Sequence, residues 1–453
     1  MAKKANSPTH SCSDCGFSSP RWFGRCPDCG SWNTAEGAVA LDGSGLVVGS
    51  LEQPVSGHER LPTGIDEVDR VFGGGLVAGS ATLLAGEPGI GKSTLILQSI
   101  DRMQSAGRRC LLVSGEESLG QIGLRARRLG LAPDRFRAAS STSLAAVLAG
   151  WKKESPDLVV VDSIQTLGDE SAEQPPGSPT QVRACATALI RHAKATGAAL
   201  VLVGHVTKDG SVAGPKTLEH IVDVVVALEG ERSGPLRLLR AAKNRFGSCE
   251  ETGVFTMTTE GLDPVEDPSA LLLADRRAHI PGSMVFPSLE GTRPVLVEVQ
   301  ALVTAQDSAQ PRRVSIGMDA RRLALVIGVL TERGGVPVDR KDVFVAAAGG
   351  MAVREPAGDL PLILAIASAR LGVPLDEGLI AFGEVGLGGE VRMVPGIDRR
   401  LAEARRLGFR RALVPRGAAT MVPGIKVEAI AGIEAPIRAL GDATQGTRSV
   451  GVA

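Results

Sequence analysis

The sequence predicts an α/β fold built on a parallel sheet with helices on both faces. Apolar runs alternate with helix-like patterns between about residues 58 and 260, at 81–85, 110–113, 158–161, 200–203 and 224–228. Continuous apolar runs separated by helices are typical of strands buried on both faces of a parallel sheet. The first run leads directly into a glycine-rich loop and a helical pattern. A chain of 453 residues has room for about two to four domains.

The first thirty residues contain two C-x-x-C pairs separated by ten residues. Each pair can place two thiolates on one turn, and two turns complete a tetrahedral four-sulfur site. We predict a four-cysteine zinc module at residues 1–35 and a linker at 36–57. Disulfides are unfavourable in a reducing cytosol, and iron in a rubredoxin-like site remains an alternative to Zn²⁺. The predicted metal ligands are Cys12, Cys15, Cys26 and Cys29.

The glycine-rich loop matches the phosphate-binding pattern G-x-x-x-x-G-K-[ST]. In this pattern backbone N–H groups surround the phosphates, the Lys92 ammonium reaches the β- and γ-phosphates, and the Ser93 hydroxyl ligates Mg²⁺. The helix that follows favours an anion at its N-terminus. The sequence therefore predicts binding of ATP with Mg²⁺ at Gly86, Glu87, Pro88, Gly89, Ile90, Gly91, Lys92, Ser93 and Thr94.

Carboxylates follow two further predicted strands. Asp162 ends the run at 158–161, where it can hold a Mg²⁺-bound water beside the phosphate loop. Glu116 and Glu117 follow the run at 110–113, and Glu116 is predicted to orient or deprotonate the attacking water. The alternative for both glutamates is the solvated start of a helix. His205 is either a sensing residue at the strand ends or a packing residue.

The rest of the chain is less distinctive. A second α/β region is predicted from 265 to 442, with a frayed tail at 443–453. Cys110, Cys185 and Cys249 are interpreted as buried small side chains.

No apolar run reaches the ~20 residues of a membrane span and no signal peptide is evident, which favours a cytoplasmic protein with no membrane partner. The formal net charge is zero, so binding of nucleic acid must depend on local basic loops.

The order of these motifs resembles one bacterial family. Residues 62–70 and 73–76 look like the entry to a RecA-type ATPase core, and 243–247 read KNRFG, the motif that marks the bacterial RadA (Sms) DNA repair family. The four-cysteine module, this core, KNRFG and a C-terminal region similar to the Lon protease domain occur in that family's order. The resemblance covers nearly the whole chain. It implies a RecA-like core at 58–264 and a Lon-protease-like domain at 265–442.

The resemblance also implies activity and partners. It implies an ATP-driven, helicase-like homo-hexamer that moves along single-stranded and branched DNA and extends recombination intermediates alongside the RecA recombinase. Glu116 looks like the catalytic glutamate of such cores. Lys243 and Arg245 are similar to the basic pair that helicase relatives insert into a neighbouring subunit's ATP site, with direct contact to DNA as the alternative. DNA-contacting loops are expected at 168–180 and 207–215, with Arg183, Lys208 and Lys216 as phosphate partners.

The C-terminal region resembles Lon in residues 382–392 but lacks the catalytic pair. Lon-type proteolysis needs a nucleophilic Ser and an activating Lys. No Ser lies between Ala352 and Ala367, and the position expected for the Lys falls near 397–399, in a stretch without lysine. The region is predicted to serve assembly and DNA contact, through Arg312, Arg313, Arg321 and Arg322. The alternatives for the whole chain are a KaiC-like regulatory ring without a DNA role and an ATP-dependent Lon-like protease.

Overall fold

The computed structural model describes residues 10–12, 18–19, 22–27, 29–32, 35–37, 60–170, 172, 174–205, 218–230, 234, 236–418 and 422–448. The chain divides into two compact units, Met1–Ser56 and Gly57–Ala453. Residues 38–57 of the predicted linker lie outside the described residues, and so does the loop predicted at 207–215, with Lys208 and Lys216.

The N-terminal unit contains a small antiparallel sheet in the order β2-β1-β3, formed by β1 (His10–Cys12), β2 (Ser18–Ser19) and β3 (Ala35–Gly37). Residues 36 and 37, which begin the predicted linker, therefore lie in β3. The second cysteine pair sits on a tight turn. The Gly30 amide donates to the Cys26 carbonyl at 3.0 Å, and the Cys26 amide donates to the Ser31 carbonyl at 2.8 Å.

The second unit begins with the elements of the phosphate-loop core. Its strands are β4 (Arg60–Leu61), β5 (Leu76–Val77), β6 (Ala81–Gly86), β7 (Cys110–Ser114), β8 (Arg137–Ser140), β9 (Leu158–Asp162), β10 (Ala199–His205), β11 (Val224–Glu229), β12 (Leu236–Asn244), β13 (Thr252–Thr258) and β14 (Gly261–Pro264). Its helices are α1 (Asp66–Phe72), α2 (Lys92–Ser105), α3 (Leu119–Arg128), α4 (Leu144–Glu154) and α5 (Pro179–Thr196).

The described strands of this core form a nine-stranded sheet in the order β14-β13-β12-β11-β6-β10-β9-β7-β8. The six strands from β11 to β8 are parallel, as predicted. At one edge the sheet is extended by β12, β13 and β14, which are antiparallel. Short connections join these last strands, and a short connection between neighbouring strands imposes antiparallel pairing.

Apolar side chains cover both faces of the sheet, which explains the continuous apolar runs. On one face the strands pack against α1 and α2 through residues such as Leu84, Val160 and Ile100. On the other they pack against α4 and α5 through residues such as Val159 and Leu189. Cys110 and Cys185 are buried in these clusters, as predicted, but Cys249 is exposed on the turn before β13.

Helix α5 shows how local sequence fixes an element. Ser178 caps its N-terminus by accepting a hydrogen bond from the Gln181 amide, and Pro179 occupies the first turn, where no amide donor is required. Gly197 ends the helix with a φ of 77°, a left-handed conformation that glycine adopts without steric cost.

The remainder of the second unit is built on another sheet. Its strands are β15 (Ser283–Glu290), β16 (Arg293–Val303), β17 (Arg313–Ile316), β18 (Val343–Ala347), β19 (Leu379–Ala381), β20 (Glu384–Val385), β21 (Val391–Arg392), β22 (Arg411–Pro415) and β23 (Lys426–Ile430). Its helices are α6 (Pro268–Leu273), α7 (Ala320–Glu332), α8 (Asp359–Leu371), α9 (Ile397–Arg406) and α10 (Glu434–Arg448). The described strands form a seven-stranded sheet, β17-β18-β16-β15-β19-β22-β23, and a separate β20-β21 pair.

The two sheets of the second unit share apolar packing. Leu236, Leu238 and Val254, which belong to the first sheet, lie in the same buried cluster as β15, β16 and α8. The boundary at 264/265 stays a prediction. Helix α10 continues to Arg448, so the expectation of a frayed chain directly after Asp442 is wrong.

No helix within the described ranges combines the length and the apolar character that a membrane span requires.

Candidate nucleotide-binding site

The phosphate loop joins the end of β6 to the start of α2, as the sequence predicts. Gly89 and Gly91 have φ angles of 80° and 122°, which side chains other than glycine rarely adopt. A Cβ at Gly91 would also lie 2.8 Å from the Met257 Cε, on β13. The loop therefore needs glycine at these positions for its backbone conformation.

The Lys92 side chain folds back over the loop. It is 4% exposed, and its ammonium donates to the carbonyls of Gly86 at 2.7 Å and Glu87 at 3.0 Å. Burial lowers the pKa of Lys92, while the carboxylates of Asp162 and Glu116 act in the opposite direction. The lysine is thus held where it can meet the β- and γ-phosphates.

Ser93 and Asp162 meet as a Mg²⁺ site requires. The Ser93 hydroxyl donates to the Asp162 carboxylate at 2.7 Å, although 69 residues separate them. Asp162 ends β9, which is separated from β6 by β10, so the parallel order brings its carboxylate to the phosphate-loop edge. A hydroxyl and a carboxylate are hard oxygen ligands that suit Mg²⁺. The residues present therefore fit ATP with Mg²⁺.

The two glutamates after β7 have different surroundings. Glu116 accepts a hydrogen bond at 2.6 Å from the hydroxyl of Ser163, the residue after Asp162, and its charge acts on Lys92. Glu117, just before the N-cap of α3, instead forms an ion pair at 2.5 Å with Arg125 in the last turn of that helix. Glu116 is thus close to the nucleotide site, whereas Glu117 supports the helix, which is the alternative interpretation.

Lys243 and Arg245 lie away from the phosphate loop of their own chain. Lys243 pairs with Val225 in the sheet, and its ammonium donates to the carbonyls of Glu219 and Val222, each at 2.7 Å. The Arg245 guanidinium forms an ion pair with Asp223 at 3.1 Å and its side chain is 53% exposed. Both residues lie at the end of the sheet where β6 begins.

Asp223 is a residue that sequence reasoning missed. It is 4% exposed, and one carboxylate oxygen pairs with Arg245 while the other accepts a hydrogen bond at 3.1 Å from the amide of Ala81, the first residue of β6. Asp223 precedes an apolar run in the same way that many surface residues do. Its sequence position carries no signal of this double contact.

Gln98 is a second missed residue. From α2 it exchanges two hydrogen bonds with the Leu262 backbone, at 3.0 and 3.3 Å, and so fixes the β13–β14 hairpin to the phosphate-loop helix.

The loops predicted to contact DNA are only partly described. The first is held by Gln181, which is 2% exposed, bonds the Asp169 amide and carbonyl at 2.9 and 3.0 Å, and also donates to the Gln174 carbonyl. Arg183 is exposed on α5. His205 ends β10 and pairs with Gly86 in the sheet, so its backbone lies beside the phosphate loop.

The basic residues proposed for the C-terminal region differ in availability. Arg322 is bound to the buried Asp359, with its Nε donating at 2.6 Å, which makes it less available to DNA, and its contact with DNA stays a prediction. Arg313 donates to backbone carbonyls of Lys341 and Asp339. Arg312 bonds Asp342 at 2.8 and 2.9 Å yet is 70% exposed. Arg321 is exposed.

The region lacks a Lon-type catalytic pair at the expected positions. Ser368, beyond the stretch where the nucleophile is expected, is buried; its hydroxyl donates to the Val373 carbonyl at 2.5 Å and accepts from the Gly282 amide at 2.9 Å. On α9 the buried basic residue is Arg400, which is 0% exposed and pairs with Glu355 at 2.5 Å. An arginine in a carboxylate pair stays protonated and cannot act as a general base.

This fold and this site define a P-loop ATPase with a RecA-like core. The family model "AAA domain" matches residues 52–211, and the model "Rubredoxin metal binding domain" matches residues 10–36. The DNA repair protein RadA of Pseudomonas aeruginosa is 46% identical over 95% of this chain and 98% of its own length. The chain belongs to the DNA repair protein RadA family.

Further relatives of similar identity and coverage carry the same family name. The DNA repair protein RadA of Mycolicibacterium smegmatis is 44% identical over 95% of this chain and 96% of its own length. That of Escherichia coli is 45% identical over 89% of this chain and 91% of its own length. The crystal structure of the RadB recombinase aligns with 46% of this chain and all of its own, at 24% identity and a TM-score of 0.37.

Three of the four predicted metal ligands lie within the described residues. Cys26 is buried and Cys29 exposed on the second turn, Cys12 lies in β1, and Cys15 is outside the described residues. We expect purified protein to carry about one Zn²⁺ per chain and Cys26→Ser to lose it, because four thiolates are needed for a closed site. Metal analysis by mass spectrometry measures the ratio, with Cys249→Ser as the control. Stoichiometric iron would favour the rubredoxin-like alternative, and metal-free wild-type protein would contradict the prediction.

Proposed function

We propose that this protein is a DNA-dependent ATPase of the helicase type, which extends branched recombination intermediates during DNA repair. Membership of the RadA family and the complete phosphate loop support ATP-driven action in repair. The observation that carries the motor assignment is the position of the KNRFG segment, 243–247, at the far end of the sheet from its own phosphate loop.

The sheet separates Arg245 from the phosphate loop of its own chain. Arg245 pairs with Asp223, which is bonded to Ala81 at the start of β6, whereas the phosphate loop begins at Gly86. Strands rise about 3.3 Å per residue, so roughly 16 Å of strand separates the two ends. If Arg245 acts on ATP, it acts on the ATP of another subunit. A trans-acting arginine stabilises the charge on the transferring phosphoryl group and couples hydrolysis to subunit movement.

A shared site of this kind favours a closed ring, and we propose a homo-hexamer. Successive hydrolysis events around a ring move the subunits relative to a strand in the central channel. The proposed partners are single-stranded and branched DNA and the RecA recombinase. Exposed Arg183, together with the loop at 207–215, is suited to sequence-independent contacts with phosphates.

The C-terminal region, whose boundary we place at 265, is proposed to support assembly rather than proteolysis. Two observations support this role. The Ser and Lys of a Lon-type catalytic pair are missing at the expected positions, and the nearby Ser368 hydroxyl and Arg400 guanidinium are already bonded to other groups. Truncation at 265 is a poor test, because it would expose Leu236, Leu238 and Val254, which pack in the C-terminal cluster. Casein degradation by the intact chain would contradict a non-proteolytic role.

The proposed function predicts two results for the wild-type protein. Single-stranded DNA should stimulate ATP hydrolysis, and ATP should drive extension of a branch on a preformed displacement loop made by RecA. Lys92→Ala should bind DNA without extending the branch, since phosphate-loop charge is needed for turnover. ATPase activity that is indifferent to DNA, with no extension, would favour a KaiC-like regulatory ring.

A further inference from the structure

The tip of the β15–β16 hairpin, residues 290–293, packs against the ATPase core, where it meets β12, α1 and the segment just before β13. The Glu290 carboxylate binds the Arg240 guanidinium on β12. The Arg293 guanidinium binds Glu67 on α1 at 2.5 Å, and both side chains are largely buried, at 14% and 5% exposed. These two ion pairs hold the first and last residues of the tip against the core.

The two central residues contact the segment that follows KNRFG. The Thr292 amide donates to the Glu250 carbonyl at 2.6 Å, and the Thr292 hydroxyl donates to the Glu251 carboxylate at 2.6 Å. Gly291 has a φ of 67°, and a Cβ built on it would lie 1.8 Å from the Glu250 carbonyl oxygen. No side chain fits at this position without displacing the Glu250 backbone.

The segment between Arg245 and Glu250 is a short, internally bonded loop. The Asn244 side-chain oxygen accepts from the Phe246 amide at 3.0 Å, and the Ser248 hydroxyl accepts from the Glu250 amide at 3.0 Å. On its other side, Arg60 donates to the Phe246 carbonyl at 2.7 Å. Because these hydrogen bonds link neighbouring residues along the loop, we expect a displacement at Glu250 to be transmitted to Arg245.

We propose that the hairpin tip 290–293 is a clamp on the KNRFG loop that positions Arg245, so that the C-terminal region controls ATP turnover. The proposal rests on the trans role of Arg245 given above. Gly291 and Thr292 are positioning residues in this arrangement, since they touch the loop and not the nucleotide. Phosphoryl transfer is sensitive to such placement, because a shift of about 1 Å in a reacting group can cost a hundredfold in rate.

The first test compares two glycine substitutions with similar backbone cost. Gly291→Ala places a Cβ against the Glu250 carbonyl, whereas Gly335→Ala, at a φ of 66°, meets no atom within 4 Å. We expect Gly291→Ala to lower the kcat of DNA-stimulated hydrolysis by about tenfold or more while the Kd for ATP is unchanged. Gly335→Ala should keep the wild-type kcat. An equal effect of both changes on kcat would overturn the proposal.

The second test separates positioning from stability. Thr292→Val removes the hydroxyl that binds Glu251, and Thr292→Ser keeps it. Valine should lower kcat and serine should restore it. In a double-variant cycle, Gly291→Ala should add nothing to the loss caused by Arg245→Ala, because both act through one group. Additive losses, or a lowered Tm with unchanged kcat, would mean that the tip is only a structural contact between the two sheets.

The same cycle distinguishes the clamp from the function on which it rests. If Arg245→Ala leaves kcat unchanged, the trans assignment is wrong and the clamp proposal falls with it. If Arg245→Ala lowers kcat but Gly291→Ala and Thr292→Val do not, the trans assignment stands and the clamp alone is wrong.

Discussion

Lys92→Ala should reduce ATP hydrolysis by at least about a hundredfold, since it removes the positive charge that faces the β- and γ-phosphates in a water-poor site. The wild-type ammonium is buried and tied to the Gly86 and Glu87 carbonyls. Alanine leaves those carbonyls without this donor, so the loop loses both charge and order. Release of inorganic phosphate, with and without single-stranded DNA, measures the effect.

Lys152→Ala provides the matched control for this change. Lys152 is an exposed lysine in the last turn of α4, outside the phosphate loop, and its removal should leave the rate of hydrolysis unchanged. Substantial hydrolysis by Lys92→Ala would mean that the loop does not supply the essential charge and would contradict the assignment of the nucleotide site.

Arg245→Ala should lower DNA-stimulated hydrolysis by about a thousandfold or more, because a trans-acting arginine typically contributes about 10³ to 10⁵ in kcat, while ATP binding is retained. Glu116→Gln should also lose hydrolysis, because the amide cannot accept a proton from water. Mixing the two inactive variants tests whether the site is shared. In a random one-to-one mixture, about one quarter of the interfaces combine an intact Glu116 with an intact Arg245 from the neighbour.

We therefore expect the mixture to regain activity that neither variant has alone. Arg277→Ala, which changes an exposed arginine remote in sequence from both motifs, is the control and should behave as wild type. A mixture no more active than its two components would exclude the shared site. Full loss of DNA binding by Arg245→Ala, with hydrolysis intact in the absence of DNA, would favour direct contact with DNA instead.

The chemistry of the nucleotide site was readable from the sequence because its signals are local. The phosphate loop needs its glycines, lysine and serine within nine consecutive residues, and the structure forms the predicted strand, loop and helix around them. Asp162 and Glu116 were also predictable, because parallel strands bring their carboxyl ends to one edge of the sheet. The structure places both beside the loop.

The tertiary structure alone decided how the rest of the unit is connected to this site. Asp223 and Ala81 are 142 residues apart, and Glu67 and Arg293 are 226 residues apart, so no local pattern could pair them. The ion pair between Arg322 and the buried Asp359 could not be predicted for the same reason, since a paired arginine and an unpaired one look alike in sequence. Local chemistry fixes what a loop can bind, whereas only the packing of distant segments fixes which charges remain available and which residues hold Arg245 in place.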